Sequence, residues 1–415
     1  MRKHPRYVWF GLLITIMLIS TSCNLNSPET ELEENTLQST SQWGEIITLA
    51  QAEQSDAPTI LPINNDIVTA WVELRDEEVV QVMRDYDFEQ STESFTQSIV
   101  SVYSHQQRIF PASSNFLHLL WLDAQHDDIG AGQRLWSVPI SSELVVERGQ
   151  ILLSDRQVYR YTALPSVDNG VTIIFSGGIV AEPALYIQQI DRAGRPNLLP
   201  ERIQYNGDYP ALLQTNDDLI HLFWMRVTDD AIFHANLRDG VLENILNIGD
   251  FSELNRGDRV NNFTVGVDDT HFYFFWNIAR VNGSHETWYS SVSIGQNIMR
   301  SPQRLGITIN PEVPFETGFN GGAGVTASSG DNWANWSVPL DQQFSTLPLV
   351  TQINDTLGVI YFQNGDVIGY QEVVSLTHNL IGLPQFKTDI DRHLYISWSE
   401  PTEGQYANLN MTTTR

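Results

Sequence analysis

The sequence predicts an all-β protein: a β-propeller of seven blades, with six and eight as the alternatives, closed into a ring by a strand from the N-terminal end. Three observations predict it. First, one phrase recurs, an Asp/Asn turn followed by an apolar run that closes on an aromatic residue. NNDIVTAW ends at Trp71, NFLHLLW at Trp121, DNGVTIIF at Phe175, NDDLIHLFW at Trp224, DDTHFYFFW at Trp276, NDTLGVIYF at Phe362 and DIDRHLYISW at Trp398. The first five anchors are 50, 54, 49 and 52 residues apart, a period at which each copy is one sheet of a radial array. Second, no apolar stripe of helical period occurs beyond the N-terminus. Third, the chain between anchors breaks into short apolar runs separated by Asx turns. Asn and Asp bond their own backbone and tolerate left-handed φ, which suits tight hairpins.

The elements follow in order. Arg2, Lys3 and Arg6 give a basic start, and Tyr7 to Ile19 is an apolar run of 13 residues. A membrane-spanning helix needs about 20, so residues 1–22 read as a signal peptide. Cys23 follows the small residues Ser20, Thr21 and Ser22 and is the single cysteine of the chain, so no disulfide is expected. The stretch to Trp43 is polar and acidic. It is too poor in apolar residues to fold and acts as a tether of roughly 25 Å. Residues 44–415 form the head. Its cleanest unit runs Pro210–Thr215, Leu219–Trp224, Ala231–Leu237 and Leu242–Ile248, four strands with turns at Asn216–Asp218 and Asp229–Asp230. Pro348 to Val373 repeats that unit, Pro348 standing 14 before Phe362 as Pro210 stands 14 before Trp224. Trp336, in GDNWANW, is a degenerate copy, and residues 306–346 are the most irregular part. The last copy lacks an outer strand, which Glu45–Leu49 would supply, leaving no open edge.

Such sheets are apolar on both faces and bury them only by stacking on neighbours around an axis. At 415 residues and 41% hydrophobic content the chain has enough apolar material for a large core.

Without residues 1–22 the chain holds 20 Lys/Arg against 50 Asp/Glu, a net charge of −30. That excludes nucleic acid and basic-patch binding to anionic membranes. Any membrane attachment must come through lipid on Cys23. The segment ending there resembles a bacterial lipoprotein signal, with Ser20 where that family has Leu. The resemblance implies cleavage before Cys23, acylation of it, and a place on the extracytoplasmic face of the cell envelope.

The repeat rhythm of residues 45–412 resembles the sialidase-type propellers and the broader set of lipoproteins with similar repeats. Their Asp box, S-x-D-x-G-x-T-W, is absent, and TASSGDNW (Thr326 to Trp333) is a distant echo. The resemblance implies a glycan-related role; its arginine triad and Tyr–Glu pair map onto no residues here, although Arg75, Arg226, Arg280 and Arg392 fall near blade rims.

The candidate site is a rim formed two residues past the anchors, where the chain turns: Glu73, Asp123, Arg226, Asn364 and Glu400. Carboxylates there serve as acid and base for glycoside cleavage or hold sugar hydroxyls; turn polarity is the simpler reading. His118, His221, His271 and His393 lie on separate copies with no short-range ligand pair, so no metal is expected, and no cofactor motif occurs. Trp43, Trp288 and Trp333 stand outside the anchor pattern and are candidate exposed contacts. The expected function is recognition of a glycan or an envelope protein by a monomeric head; a sialidase-like hydrolase and an envelope scaffold are the alternatives.

Overall fold

The computed structural model describes residues 43–414 apart from short stretches, the longest being 125–132, 316–321 and 328–335. Residues 1–42, where the sequence reading expects a signal peptide, Cys23 and a tether, and Trp333 lie outside the described residues. Among those described there is no helix, and the strands form seven sheets. Each sheet is a blade, and the seven close into the propeller.

Blades one to five follow one plan of four antiparallel strands in sequence order. The fourth blade is Asp208–Gln214, Ile220–Arg226, Ala231–Arg238 and Val241–Asp250, the unit read from the sequence to within two residues at each strand end. Its hairpins turn through residues in the left-handed region, Asp218, Asp230 and the pair Asp239–Gly240; the last is a two-residue turn, whose backbone matches the twist of the strands it joins. The anchors sit on the second strands: Asp66–Arg75, Phe116–Ala124, Val171–Ile179, Ile220–Arg226 and His271–Ala279, then Leu394–Pro401 in blade seven. Trp71, Trp121, Trp224, Trp276 and Trp398 are all fully buried.

The core is divided among seven apolar clusters, one between each pair of neighbouring blades. The second strand of blade five shows how one strand serves two of them. Phe272, Phe274 and Trp276 face blade four, while Tyr273 and Phe275 face blade six. Strand alternation sends successive side chains to opposite faces, and a strand between two packed sheets is therefore apolar throughout.

Ring closure is by strand sharing. Ile47–Glu53 pairs antiparallel with Tyr406–Thr413, from Ile47 opposite Met411 to Glu53 opposite Tyr406, and so completes blade seven after Gln385–Thr388 and Leu394–Pro401. Leu49 and Ala52 enter the cluster between blades seven and one. Trp43 is buried between blades six and seven. Its expected role as an exposed contact is thus corrected: the indole continues the core past the end of the shared strand.

The sixth blade departs from the plan. Its order is Ile307–Phe315, Gly322–Ala327, Asp366–Ser375, Thr356–Gln363, Leu347–Ile353 and Trp336–Ser337. The segment read as irregular supplies three strands, an outer hairpin and the innermost Trp336–Ser337. This corrects the equivalence of Pro348–Val373 with blade four. With Trp336 on the axis, Leu347–Ile353 becomes the second strand and the Phe362 strand the third. Trp336 and Phe362 both pack against Phe275 of blade five. Two aromatics thus share the place that one anchor fills elsewhere, which is why their spacing breaks the repeat.

Candidate functional site: the axial cavity

The first strands of the blades face the propeller axis: Thr59–Ile63, His105–Ser113, Val158–Pro165, Asp208–Gln214, Arg259–Val267, Trp336–Ser337 and Gln385–Thr388. They enclose a cavity of about 550 Å³ to which all seven contribute. That volume lies within the range of small-ligand sites. Its charge is the opposite of the chain's. Arg108, Arg160 and Lys387 line it with His285, and among the described lining residues there is no Asp or Glu, in a protein whose net charge is −27.

Two arginines repeat one arrangement on adjacent blades. The Arg160 guanidinium stands 3.7 Å from the centroid of the Tyr209 ring, pairs with Asp208 at 2.9 Å and donates to the Tyr209 hydroxyl at 2.8 Å. That hydroxyl donates onward to the Val260 carbonyl at 2.6 Å. Arg108 lies 5.2 Å from the centroid of the Tyr161 ring. The Tyr161 hydroxyl donates to the Gln106 carbonyl and, at 3.2 Å, to that of Leu120. Arg108 differs from Arg160 in one respect: among the described residues it has no carboxylate and no hydrogen-bond partner. Burial holds its pKa below the ordinary arginine value, opposed by Tyr161. A half-buried guanidinium with no acceptor among the described residues has donors whose fork geometry suits an anion.

Burial also pushes the Tyr209 hydroxyl up to about 12 and the Tyr161 hydroxyl further above its usual value. Both stay protonated at neutral pH and act as fixed donors. Across the cavity the Trp336 indole donates to Asn277 Oδ1 at 2.6 Å, an atom that also accepts from Thr287 at 2.9 Å. Asn262, Gln385 and Ser337 add neutral polar groups to the wall.

The five rim residues read from the sequence occupy other places. Glu73 is buried and accepts from the Trp71 indole at 2.7 Å. Asp123 is buried and accepts from Ser104 at 3.1 Å. Arg226 pairs with Asp229 and lies over the Phe233 ring. Glu400 accepts from Thr377 and from the His378 backbone N–H. These four stand at the ends of second strands, one strand out from the axis. Asn364 is not with them. Its N–H reaches Asp268 in the turn between the first two strands of blade five, which is the opposite face, because the Phe362 strand is third rather than second. Trp288 is half-buried and donates to Glu286 at 3.0 Å.

Sequence reasoning missed Arg108 and Arg160 because it followed the anchors outward. A signal for them existed. Arg108 stands 13 before Trp121, Arg160 stands 15 before Phe175, and Tyr209 stands 15 before Trp224, each within one residue of the interval of 14 noted for Pro210. That interval marks the axial strand of each blade.

No family model matches the chain, and no curated protein matches it. Solved structures similar to it include polysaccharide lyases and a sialidase. The polysaccharide lyase Uly1 aligns with a TM-score of 0.57 at 9% identity over 92% of this chain and 93% of that one. An ulvan lyase of polysaccharide lyase family PL25, bound to a -[GlcA(1-4)Rha3S]- saccharide, aligns with a TM-score of 0.52 at 7% identity over 87% and 95%. A Trypanosoma rangeli sialidase aligns with a TM-score of 0.44 at 10% identity over 87% and 55%. At such identities the likeness is one of fold, carried by the first two, and the resemblance drawn from the repeat is pattern-level.

Proposed function

We propose that the head recognises an acidic saccharide, one bearing carboxylate or sulfate, in the axial cavity. The observation that carries this reading is the reversal of charge: three cationic side chains, of which Arg160 pairs with Asp208, line the cavity of a strongly acidic protein, with no Asp or Glu among the described lining residues. Guanidinium groups suit carboxylate and sulfate oxyanions. Recognition is favoured over glycoside hydrolysis because hydrolases of that kind need two carboxyl groups about 5–10 Å apart, and the described wall supplies neither. Proton abstraction by Tyr209 is disfavoured by its raised pKa.

The test is binding to uronate-bearing and sulfated oligosaccharides against neutral ones of the same length. Binding confined to the acidic set, and lost with Arg108→Gln, is expected. Equal binding to neutral sugars sinks the reading, and release of an unsaturated uronide or of new reducing ends replaces recognition with cleavage.

We propose further that Cys23 is acylated and holds the head at the extracytoplasmic face of a bacterial membrane. Incorporation of a clickable palmitate analogue, abolished by Cys23→Ala, is the expected result; an unlabelled protein overturns it.

A further inference from the structure

A second cavity, of about 730 Å³, lies between blades four and five, away from the axial strands. Its wall combines Phe223, Phe272, Leu246, Ile248 and Val292 with a row of polar groups. The strand pairing puts His221 opposite Asn236 and Phe223 opposite His234. His221 and Phe223, like His234 and Asn236, are two apart on their strands, so all four side chains share one face.

A chain of hydrogen bonds fixes the protons on this patch. The Thr215 hydroxyl donates its one hydrogen to Asp217 at 2.5 Å, a shorter bond than its 3.2 Å approach to the Leu219 carbonyl. Towards His221 Nε2, 3.1 Å away, it therefore accepts. His221 thus carries its proton on Nε2 and offers a lone pair at Nδ1. His234 Nε2 lies 2.9 Å from that atom and must donate to it. In a neutral imidazole only one nitrogen bears hydrogen, so His234 Nδ1 is left as a bare acceptor. Two residues along the same strand, Asn236 Oδ1 is a buried acceptor with no donor among the described residues. Buried acceptors without donors are rare and costly.

The buried Asn236 Oδ1 and the acceptor at His234 Nδ1, on one wall, suit a ligand rich in donors. The remaining wall selects its charge. Asp217 and Asp269 line the cavity, and among its described lining residues there is no Lys or Arg. The Phe223 ring stacks on His234 at 4.6 Å, and Phe272 closes on both, 5.0 Å from Phe223.

We propose that this cavity binds a small organic ammonium ion, its N–H groups donating to His234 Nδ1 and Asn236 Oδ1 and its carbon skeleton lying against Phe223 and Phe272. The site is separate from the axial cavity, so it stands or falls independently of the saccharide reading.

The test uses three probes of one shape on the full chain at neutral pH, followed by histidine-selective ¹⁵N NMR. Cyclohexylammonium has charge and donors, cyclohexanol has a donor without charge, and trimethylcyclohexylammonium has charge without donors. Cyclohexylammonium is expected to bind saturably, shift the His234 Nδ1 resonance, and exceed each of the other two by about tenfold, the worth of one to two hydrogen bonds. Asn236→Leu, which keeps the volume and removes the acceptor, should lower its affinity about fivefold or more by the same reckoning, while Arg108→Gln should leave it unchanged. Equal binding of the three probes, an unmoved His234 resonance, or no saturable binding overturns the proposal. Should Asn236→Leu fail to fold, the probe series and the resonance on the wild-type chain decide it alone.

Discussion

The guanidinium of Arg160 lies on the Tyr209 ring, 3.7 Å from its centroid, while one of its nitrogens donates 2.8 Å to the hydroxyl of that ring. Because Tyr209 in turn donates to Val260, the contact ties blades three, four and five together at the axis. Tyr209→Phe keeps the ring and removes both bonds. It should cost about 1–2 kcal/mol, read as a lower urea midpoint at unchanged slope, and should weaken acidic-saccharide binding only a few-fold. A larger loss of binding than of stability would show that the hydroxyl itself touches the ligand.

Arg108 behaves differently because no carboxylate among the described residues pairs with it. Removing a half-buried charge that faces no carboxylate among the described residues relieves a desolvation cost, so Arg108→Gln should leave stability unchanged or raise it. The same change should lower acidic-saccharide affinity by about tenfold or more, since charge-assisted bonds are roughly twice as strong as neutral ones. Arg108→Lys, which keeps charge but not the planar fork, should fall between. Binding that survives Arg108→Gln intact would remove the cavity's strongest claim. Paired denaturation and titration calorimetry on the two variants make the measurement.

Three histidines, His118 and His221 buried and His234 half-buried, set the acid limb of stability. Burial lowers His118, His221 and His234 from 6.5 to about 4 each. The unfolded chain binds their protons near pH 6.5, while the folded chain refuses them until about pH 4. Stability therefore falls as pH drops through that window and levels off below it. His118, fully buried, alone would contribute about 3 kcal/mol at the limit. Carboxylates held low act later: Asp258, bonded by Arg280, titrates at about 2, and its contribution is lost only as pH falls below the usual 3.8. Urea midpoints at pH 7 and pH 5 should differ clearly in the wild type and less in His118→Leu. A flat profile across that window would contradict the burial of these rings.

The pattern that made the blades legible also hid the site. Trp71, Trp121, Trp224, Trp276 and Trp398 are spaced by the repeat because each plugs the same gap between sheets, and burial makes such positions strongly constrained. The closing strand was legible for a similar reason: the last copy lacked an outer member. Blade six was misread because Trp336 and Phe362 share one gap, so either alone looked like an anchor. Which face a turn belongs to depends on counting strands from the axis, and a single two-residue strand, Trp336–Ser337, moved Asn364 to the other face. The cations of the axial cavity are scattered over blades two, three and seven, and only ring closure brings them together.

Ring closure itself makes the last prediction. Ile47–Glu53 is the outer strand of blade seven, and Trp43 with Gly44 extends the tie, Gly44 donating to the Thr413 carbonyl at 2.8 Å and accepting from Thr412 at 3.0 Å. Deleting residues 1–42 removes none of these contacts and should leave the urea midpoint where it is. Deleting residues 1–54 strips Leu49 and Ala52 from the cluster between blades seven and one, removes Trp43 from the next, and bares Tyr406–Thr413 as an edge. Loss of a buried tryptophan alone costs about 3–5 kcal/mol, and the total stability of a domain is about 5–15 kcal/mol, so the shorter chain should unfold or self-associate through its open strand. Trp43→Ala should fall between the two deletions. If the chain lacking residues 1–54 stayed monomeric with an unchanged midpoint, the shared strand would be an ornament on a ring held by blade packing alone, and the energetic role assigned to it would be withdrawn.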